Sequence, residues 1–193
     1  QIKVAAELEQ LRRIQTVINT KLSLLHRARE LRNITGLSPV FLETQENDQL
    51  LILSNPIFSD DHDQIFSALC EHISQCSRYH LNSGYPYGAM LPLSGLRTQD
   101  WETYGYFFTE TCQPLEKIPP SAETYKKKAG TYAVVYLRGN YYESEGAFRK
   151  LLAYLEEHLL TPGEFIYKEA VLDELSAKEE EYLTRISICC KEY

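Results

Sequence analysis

The chain is predicted to be an α+β protein: a long N-terminal dimerisation helix followed by a duplicated βαββ domain, with an antiparallel-rich sheet and two helices. Three observations predict this. Residues 2–33 contain no Pro or Gly and carry a heptad-like apolar stripe. Residues 48–109 and 131–190 each read strand, helix, strand, strand in the same order. Sliding one half by 80 residues sets the strands that follow each helix on one another, with Tyr85 on Phe165, Tyr87 on Tyr167, Ala89 on Glu169 and Leu91 on Val171.

The first helix is read from Val4, Leu8, Leu11, Ile18, Leu22 and Leu25, spaced by fours and threes with Gln15 in one seam position, and widened by Ile14, Val17, Leu24 and Leu31. Gly36 and then Pro39 are expected to end it. A helix this long overhangs the remaining domain, so its outer seam calls for a second copy of the chain. Domain boundaries follow: a coiled-coil helix over 1–35 and a second domain over 36–193, with halves at about 40–110 and 128–193. In the first half a strand spans about 48–54, a helix opens at Asp60 and Asp61 and runs to about Tyr79, and strands follow at 85–91 and about 101–109. In the second half a strand spans 131–137, a helix covers about 143–160, Thr161-Pro162-Gly163 turns the chain, and strands follow at 164–172 and 182–190. Residues 110–128, with Pro114, Pro119, Pro120 and the run Lys126-Lys127-Lys128, read as a linker with a solvated basic run. The groove where the halves meet is the natural ligand site.

Composition narrows the function. The 193 residues are 44% hydrophobic and 24% charged, ordinary for a globular domain, and no stretch is apolar enough to span a membrane. The only Met is Met90, and the chain opens at Gln1 inside a helical pattern, which reads as part of a longer protein. Residues 1–33 carry seven Lys/Arg against three Asp/Glu, a net +4; the remaining 13 basic and 24 acidic residues give −11. An acidic body does not bind nucleic acid on its own and favours cationic small molecules. The five Cys form no CxxC, and a reduced cytoplasmic compartment is expected. His72 and Cys76 are spaced for two metal ligands with no further pair, so no metal and no cofactor is expected. Sequence signatures of zinc proteases, P-loops, serine hydrolases and dinucleotide sites are absent.

One strand carries the candidate site. In Glu164-Phe-Ile-Tyr-Lys-Glu-Ala-Val171, one face holds Phe165, Tyr167, Glu169 and Val171. A carboxylate among aromatics needs a partner, because burying it unpaired costs several kcal/mol. A bound cation between aromatic walls suits it, and a salt bridge to Arg185 or Arg138 is the plainer alternative. The 14 Tyr supply such walls. The candidate ligand-binding residues are Glu169, Tyr167, Phe165, Tyr85, Tyr87, Tyr136, Tyr141, Tyr142, Trp101 and Tyr104.

The segments Ala129-Gly-Thr-Tyr-Ala133, Arg138-Gly-Asn-Tyr141, Leu151-Leu-Ala-Tyr-Leu155, Gly163-Glu-Phe-Ile-Tyr-Lys-Glu169 and Tyr182-Leu-Thr-Arg-Ile-Ser-Ile188 resemble the GyrI-like small-molecule-binding family. With the preceding helix, the chain looks like the C-terminal part of a MerR-type, multidrug-responsive transcription regulator. The resemblance implies a winged helix-turn-helix before Gln1, through which alone DNA is bound, an antiparallel coiled-coil homodimer through residues 1–33, and a pocket for lipophilic, often cationic, molecules between the halves. The family's acidic residue maps onto Glu169, and its pocket aromatics onto Tyr85 or Tyr87, Tyr141 or Tyr142, and Tyr167. Many relatives carry an acid after the Thr of the last strand, where this chain has Arg185, which could neutralise Glu169. The expected function is effector sensing and dimerisation without catalysis. Some GyrI-like proteins are hydrolases, and the alternative is a hydrolase with Glu169 as general base; a protein-binding scaffold is a third reading.

Overall fold

The computed structural model describes residues 2–97, 101, 103–141, 143–172 and 178–192. In chain order the elements are α1 (Ile2–Glu30), β1 (Phe41–Gln45), β2 (Gln49–Leu53), α2 (His62–Arg78), β3 (Gly88–Pro92), α3 (Leu93–Arg97), β4 (Tyr106–Glu110), β5 (Glu123–Lys127), β6 (Gly130–Arg138), α4 (Glu145–Glu157), β7 (Leu160–Leu172) and β8 (Leu183–Glu192). Asp61 caps α2 as expected, its Oδ1 accepting from the backbone N–H groups of Asp63 and Gln64 at 2.9 and 3.3 Å.

The duplicated unit is present as β2–α2–β3–β4 and β6–α4–β7–β8, in one eight-stranded sheet of order β1-β6-β8-β7-β3-β4-β2-β5. Every strand pair is antiparallel, and the halves meet where β3 pairs with β7. Each half lends its leading strand to the other: β1 lies on β6 and β5 on β2. The sheet curls until these two edges approach. The Gln45 side-chain amide then donates to the Lys128 carbonyl at 3.1 Å, and Asp48 Oδ1 accepts from the Ala129 N–H at 2.8 Å.

Alternation along the strands separates two cores. Ala89, Leu91, Phe107, Ala133, Val135, Ile166, Ile186 and Ile188 face the helical layer of Phe148, Leu151 and Leu155. Met90, Phe108, Tyr132, Val134, Tyr136, Tyr167, Val171 and Leu183 face the concave side, where the end of α1 packs through Ala28 and Leu31. The Arg138 guanidinium donates to the carbonyls of Ile34 at 2.7 Å and Leu31 at 3.1 Å, occupying acceptors beyond the last turn of α1. Farther back, Gly84 has φ +97°, and a Cβ there would lie 2.8 Å from the Val17 carbonyl oxygen, so only glycine permits this approach to the α1 backbone. The outward stripe Val4, Leu8, Leu11, Ile14, Ile18, Leu22 and Leu25 remains at least 47% exposed.

Several expectations need correction. α1 ends at Glu30, ahead of Gly36, and the chain turns away under the Arg138 contacts. β1 and β5 fall in segments read as connections, because their mixed polar sequences show no core stripe. β3 starts at Gly88, so Tyr85 and Tyr87 precede it, and its pairing of Gly88 with Glu169 and Met90 with Tyr167 puts Ala89 on the face opposite to that of Glu169. The offset of 80 residues therefore places the β3 side chains one residue out of register with the sheet faces. β4 begins at Tyr106, and β7 extends back through Thr161-Pro162-Gly163, with a register shift between Pro162 and Ile166 accommodating the predicted turn.

Candidate functional site

A cavity of about 500 Å³ lies between α1 and the concave face of the sheet. Thr16, Thr20, Leu24 and Arg27 of α1 form one wall. The opposite wall comes from Tyr85, Phe108 and Glu110 of the first half and Glu169, Val171 and Arg185 of the second. A larger cleft of about 1200 Å³ runs beside the N-terminal half of α1, past Cys76, His80 and Cys112, and none of the predicted ligand-binding residues lines it.

Charged groups organise the cavity floor. Arg185, opposite Glu169 in the β7–β8 pair, donates to its Oε2 at 2.7 Å and to Glu43 Oε1 at 3.1 Å. Arg27 reaches Glu43 at 3.0 Å and the Tyr136 hydroxyl at 3.1 Å. From β5, Lys127 places its Nζ 3.3 Å from both Glu169 oxygens. Burial alone would raise the Glu169 carboxyl, but the charges of Lys127 and Arg185 and their hydrogen bonds hold it down at about 2. Of the two partners considered for Glu169, Arg185 is the one used, while Arg138 is occupied at the end of α1.

Lys127 overturns the reading of 126–128 as a solvated run. Its side chain is 1% exposed, against 59% for Lys126 and 69% for Lys128. Strand alternation turns the middle lysine into the concave interior and leaves its neighbours beside Asp48.

A second carboxylate, Glu110, lies on the cavity wall, where Gln49 Nε2 donates to it at 3.0 Å and the Tyr85 hydroxyl hydrogen-bonds it. Burial, with the negative charge of Glu169 nearby, raises its carboxyl to about 7. Among the described residues it takes part in no ion pair, whereas Glu43 and Glu169 both do. Two polar atoms of lining residues, Gln49 Oε1 and Arg185 Nε, are buried without a partner.

The predicted ligand-binding residues divide between the two sheet faces. Glu169 and Tyr85 line the cavity. Tyr167, Tyr136 and Phe165 share the concave face but lie in its packing. Tyr167 meets Phe108 and Tyr132 edge-on, Phe165 meets Tyr106 and Tyr125, and Tyr136 stacks on Phe41. Four others do not reach the cavity. Tyr87 packs on His72, Trp101 stacks on Phe148, and Tyr104 packs on Phe107. Tyr141 lies under Lys168, whose Nζ is 3.7 Å from the ring centroid and whose ammonium burial pulls down to about 7. Trp101, Tyr104 and Lys168 belong to the helix side of the sheet, and Tyr87 to a small cluster with Cys76 and Leu81. Tyr142 lies outside the described residues. Sequence reading missed Glu110, Glu43, Lys127 and Arg27. For Glu110 the signal was present, because Tyr106, Phe108 and Glu110 repeat the spacing of Phe165, Tyr167 and Glu169.

No protein-family model matches the chain. In sequence it is similar to the Multidrug-efflux transporter 2 regulator of Bacillus subtilis (strain 168), at 27% identity over 174 residues that cover 90% of this chain and 60% of that protein. The chain thus spans less than two thirds of that regulator's length. Among solved structures, its fold is similar to the EcmrR C-terminal domain, with a TM-score of 0.60 and 13% identity over 80% of this chain and 98% of that one. It is also similar to a hydrolase from Listeria innocua encoded by lin2189 (TM-score 0.56, 8% identity, 84% and 97% covered). A third likeness is to SAV2435 bound to tetraphenylphosphonium (TM-score 0.52, 11% identity, 80% and 94% covered). These structural likenesses establish the fold. The sequence similarity is to a protein named as a regulator, in keeping with the resemblance drawn from the sequence.

The Glu169 cluster sets an acid limit on stability. Because its folded carboxyl titrates near 2 rather than at the ordinary 4.5, its contribution is complete above about pH 5 and is lost as pH falls toward 2. Glu169→Gln leaves the buried Lys127 without an ion-pair partner among the described residues and Arg185 with Glu43 alone, at an expected cost of about 2–4 kcal/mol at pH 7. Urea denaturation from pH 7 downward should show the gap between wild type and variant closing as pH approaches 2. A gap that does not change with pH would show that the contact is not ionic.

Proposed function

We propose that the chain is the effector-sensing and dimerisation part of a cytoplasmic transcription regulator, and that its effector is a lipophilic, often cationic, small molecule bound between α1 and the concave sheet face. The observation that carries this reading is the placement of the cavity. One wall is the long helix that leads out of the domain, so a molecule seated there touches the sheet and the helix at once. Leu24, Phe108, Val171 and the Tyr85 ring offer apolar contact, and each orphaned polar atom at Gln49 and Arg185 costs about 1–3 kcal/mol that a polar group on the effector would offset. Tetraphenylphosphonium bound to SAV2435 supports a lipophilic cation as the ligand class. Glu169 is already matched by two cations, so the acid left to meet a positive effector is Glu110. Signalling follows if the effector binds one placement of α1 more tightly than another. DNA contact would come through a winged helix outside this chain, and no membrane is involved; no helix among the described residues is long and apolar enough to cross one.

The hydrolase reading with Glu169 as general base meets a physical obstacle. A carboxyl held at about 2, with both oxygens committed to Lys127 and one to Arg185, does not accept a proton near neutrality.

Two measurements test the proposal. In calorimetry with tetraphenylphosphonium, wild-type affinity should rise as pH passes upward through about 7, where Glu110 ionises. Glu110→Gln should bind roughly 10- to 100-fold more weakly at pH 8 and lose this pH dependence. Equal affinity of the two proteins at pH 8 would remove Glu110 from the site. The exposed α1 stripe should hold a homodimer of about twice 22.3 kDa in sedimentation, which Leu11→Glu with Ile18→Glu dissociates. A wild-type monomer at micromolar concentration would contradict the dimer.

A further inference from the structure

The geometry points to a second, deeper cation subsite beside the effector cavity, built from the rings of Tyr132 and Tyr167 and the carboxylate of Glu169, which takes a primary ammonium and is filled by the chain's own Lys127. The Lys127 ammonium stands 4.4 Å from the Tyr167 ring centroid and 5.4 Å from that of Tyr132, with Glu169 Oε1 and Oε2 both at 3.3 Å. Two π faces and a carboxylate around one desolvated cation are the elements that recognise organic ammonium ligands. The other cation–ring contacts of the described residues lack this combination. Lys168 sits over Tyr141 alone and Arg149 over Trp101, while Arg27 near Tyr136 is 41% exposed in its side chain.

The occupant fits its surroundings. Lys127 is 1% exposed in its side chain, so its ammonium has given up hydration; burial and the nearby Arg185 charge favour the neutral amine, and Glu169 favours the charged form. Glu169 lines the effector cavity and Lys127 does not, so the carboxylate lies between the two compartments. The consequence concerns specificity and rests on the effector-module reading. A positively charged effector finds Glu169 already neutralised from behind by an internal ammonium and is left with Glu110.

Chemical rescue tests the subsite without using an effector. Lys127→Ala removes three methylene groups beyond Cβ and the amine, the outline of n-propylammonium. In the full chain, n-propylammonium chloride at tens of millimolar should raise the Tm of Lys127→Ala by several degrees over equal potassium chloride, because a ligand of the folded state stabilises it by mass action. Wild type, with the cage filled, and Lys127→Met, with its stem filled, should not respond, and neutral n-propanol should not substitute for the amine. If Lys127→Ala does not fold in plain buffer, the same comparison is read as recovery of the native near-ultraviolet circular dichroism signal when the amine is added. Absence of any amine effect on Lys127→Ala, an equal effect on all three proteins, or equal rescue by n-propanol would overturn the subsite. Failure of wild type to bind tetraphenylphosphonium, with amine rescue intact, would remove the effector reading and leave the subsite standing.

Discussion

A carboxylate facing the inside of a curled sheet has to be matched by positive charge before the sheet can close over it, and the Lys127–Glu169–Arg185 cluster meets that requirement. Its members come from three strands, β5, β7 and β8, and Arg185 extends it to Glu43 on β1. β1 and β5 are the two edges of the sheet, so the same charges that satisfy Glu169 also draw those edges toward one centre. Arg27 carries the network to α1. A buried ion cluster of this kind adds less net stability than an apolar core of equal volume, but it is severe on errors, since removing one member strands the others. Its contacts join both sheet edges and the helix at one centre.

The cavity follows from how α1 is supported. The helix touches the domain at Gly84, where the missing Cβ lets two backbones meet, and again at Ala28 and Leu31, which pack on the concave core. Between these supports Asn19, Thr20, Ser23, Leu24 and Arg27 line the space beneath, and these side chains leave it unfilled. The opposite side of the helix carries the exposed apolar stripe. One element therefore connects the proposed effector site to the proposed dimer seam, and a change in the packing of either side bears on the other.

Much of this architecture was legible in the sequence. The long helix followed from an uninterrupted stripe, the duplication from the order of two periodic segments, and the importance of Glu169 from a charge out of place among Phe165, Tyr167 and Val171. What failed was what depends on register and on contacts distant in sequence. Aligning the halves put Ala89 with Glu169, and a slip of one residue exchanges the faces of a strand, so Tyr87 was credited to the wrong side. Trp101, Tyr104 and Tyr141 are drawn by apolar surface on the helical side, and nothing in their local sequence distinguishes that surface from a pocket. Lys127 looked like one of three solvated lysines, because its partner lies 42 residues farther along the chain. Glu110 closes the same aromatic-x-aromatic-x-Glu pattern as Glu169, but it stands at the end of β4, where a carboxylate is ordinarily solvated, and only the fold shows its burial.

The central claim is that an effector sits between α1 and the concave sheet face, above an ion cluster that is already balanced. A crystal structure of the chain with tetraphenylphosphonium tests it most directly. The account predicts the ligand against Leu24, Tyr85, Phe108 and Val171, its charged centre toward Glu110, with Lys127 still on Glu169. A ligand bound on the helical side near Trp101 and Tyr141, or in contact with Glu169 after displacing Lys127, would contradict it.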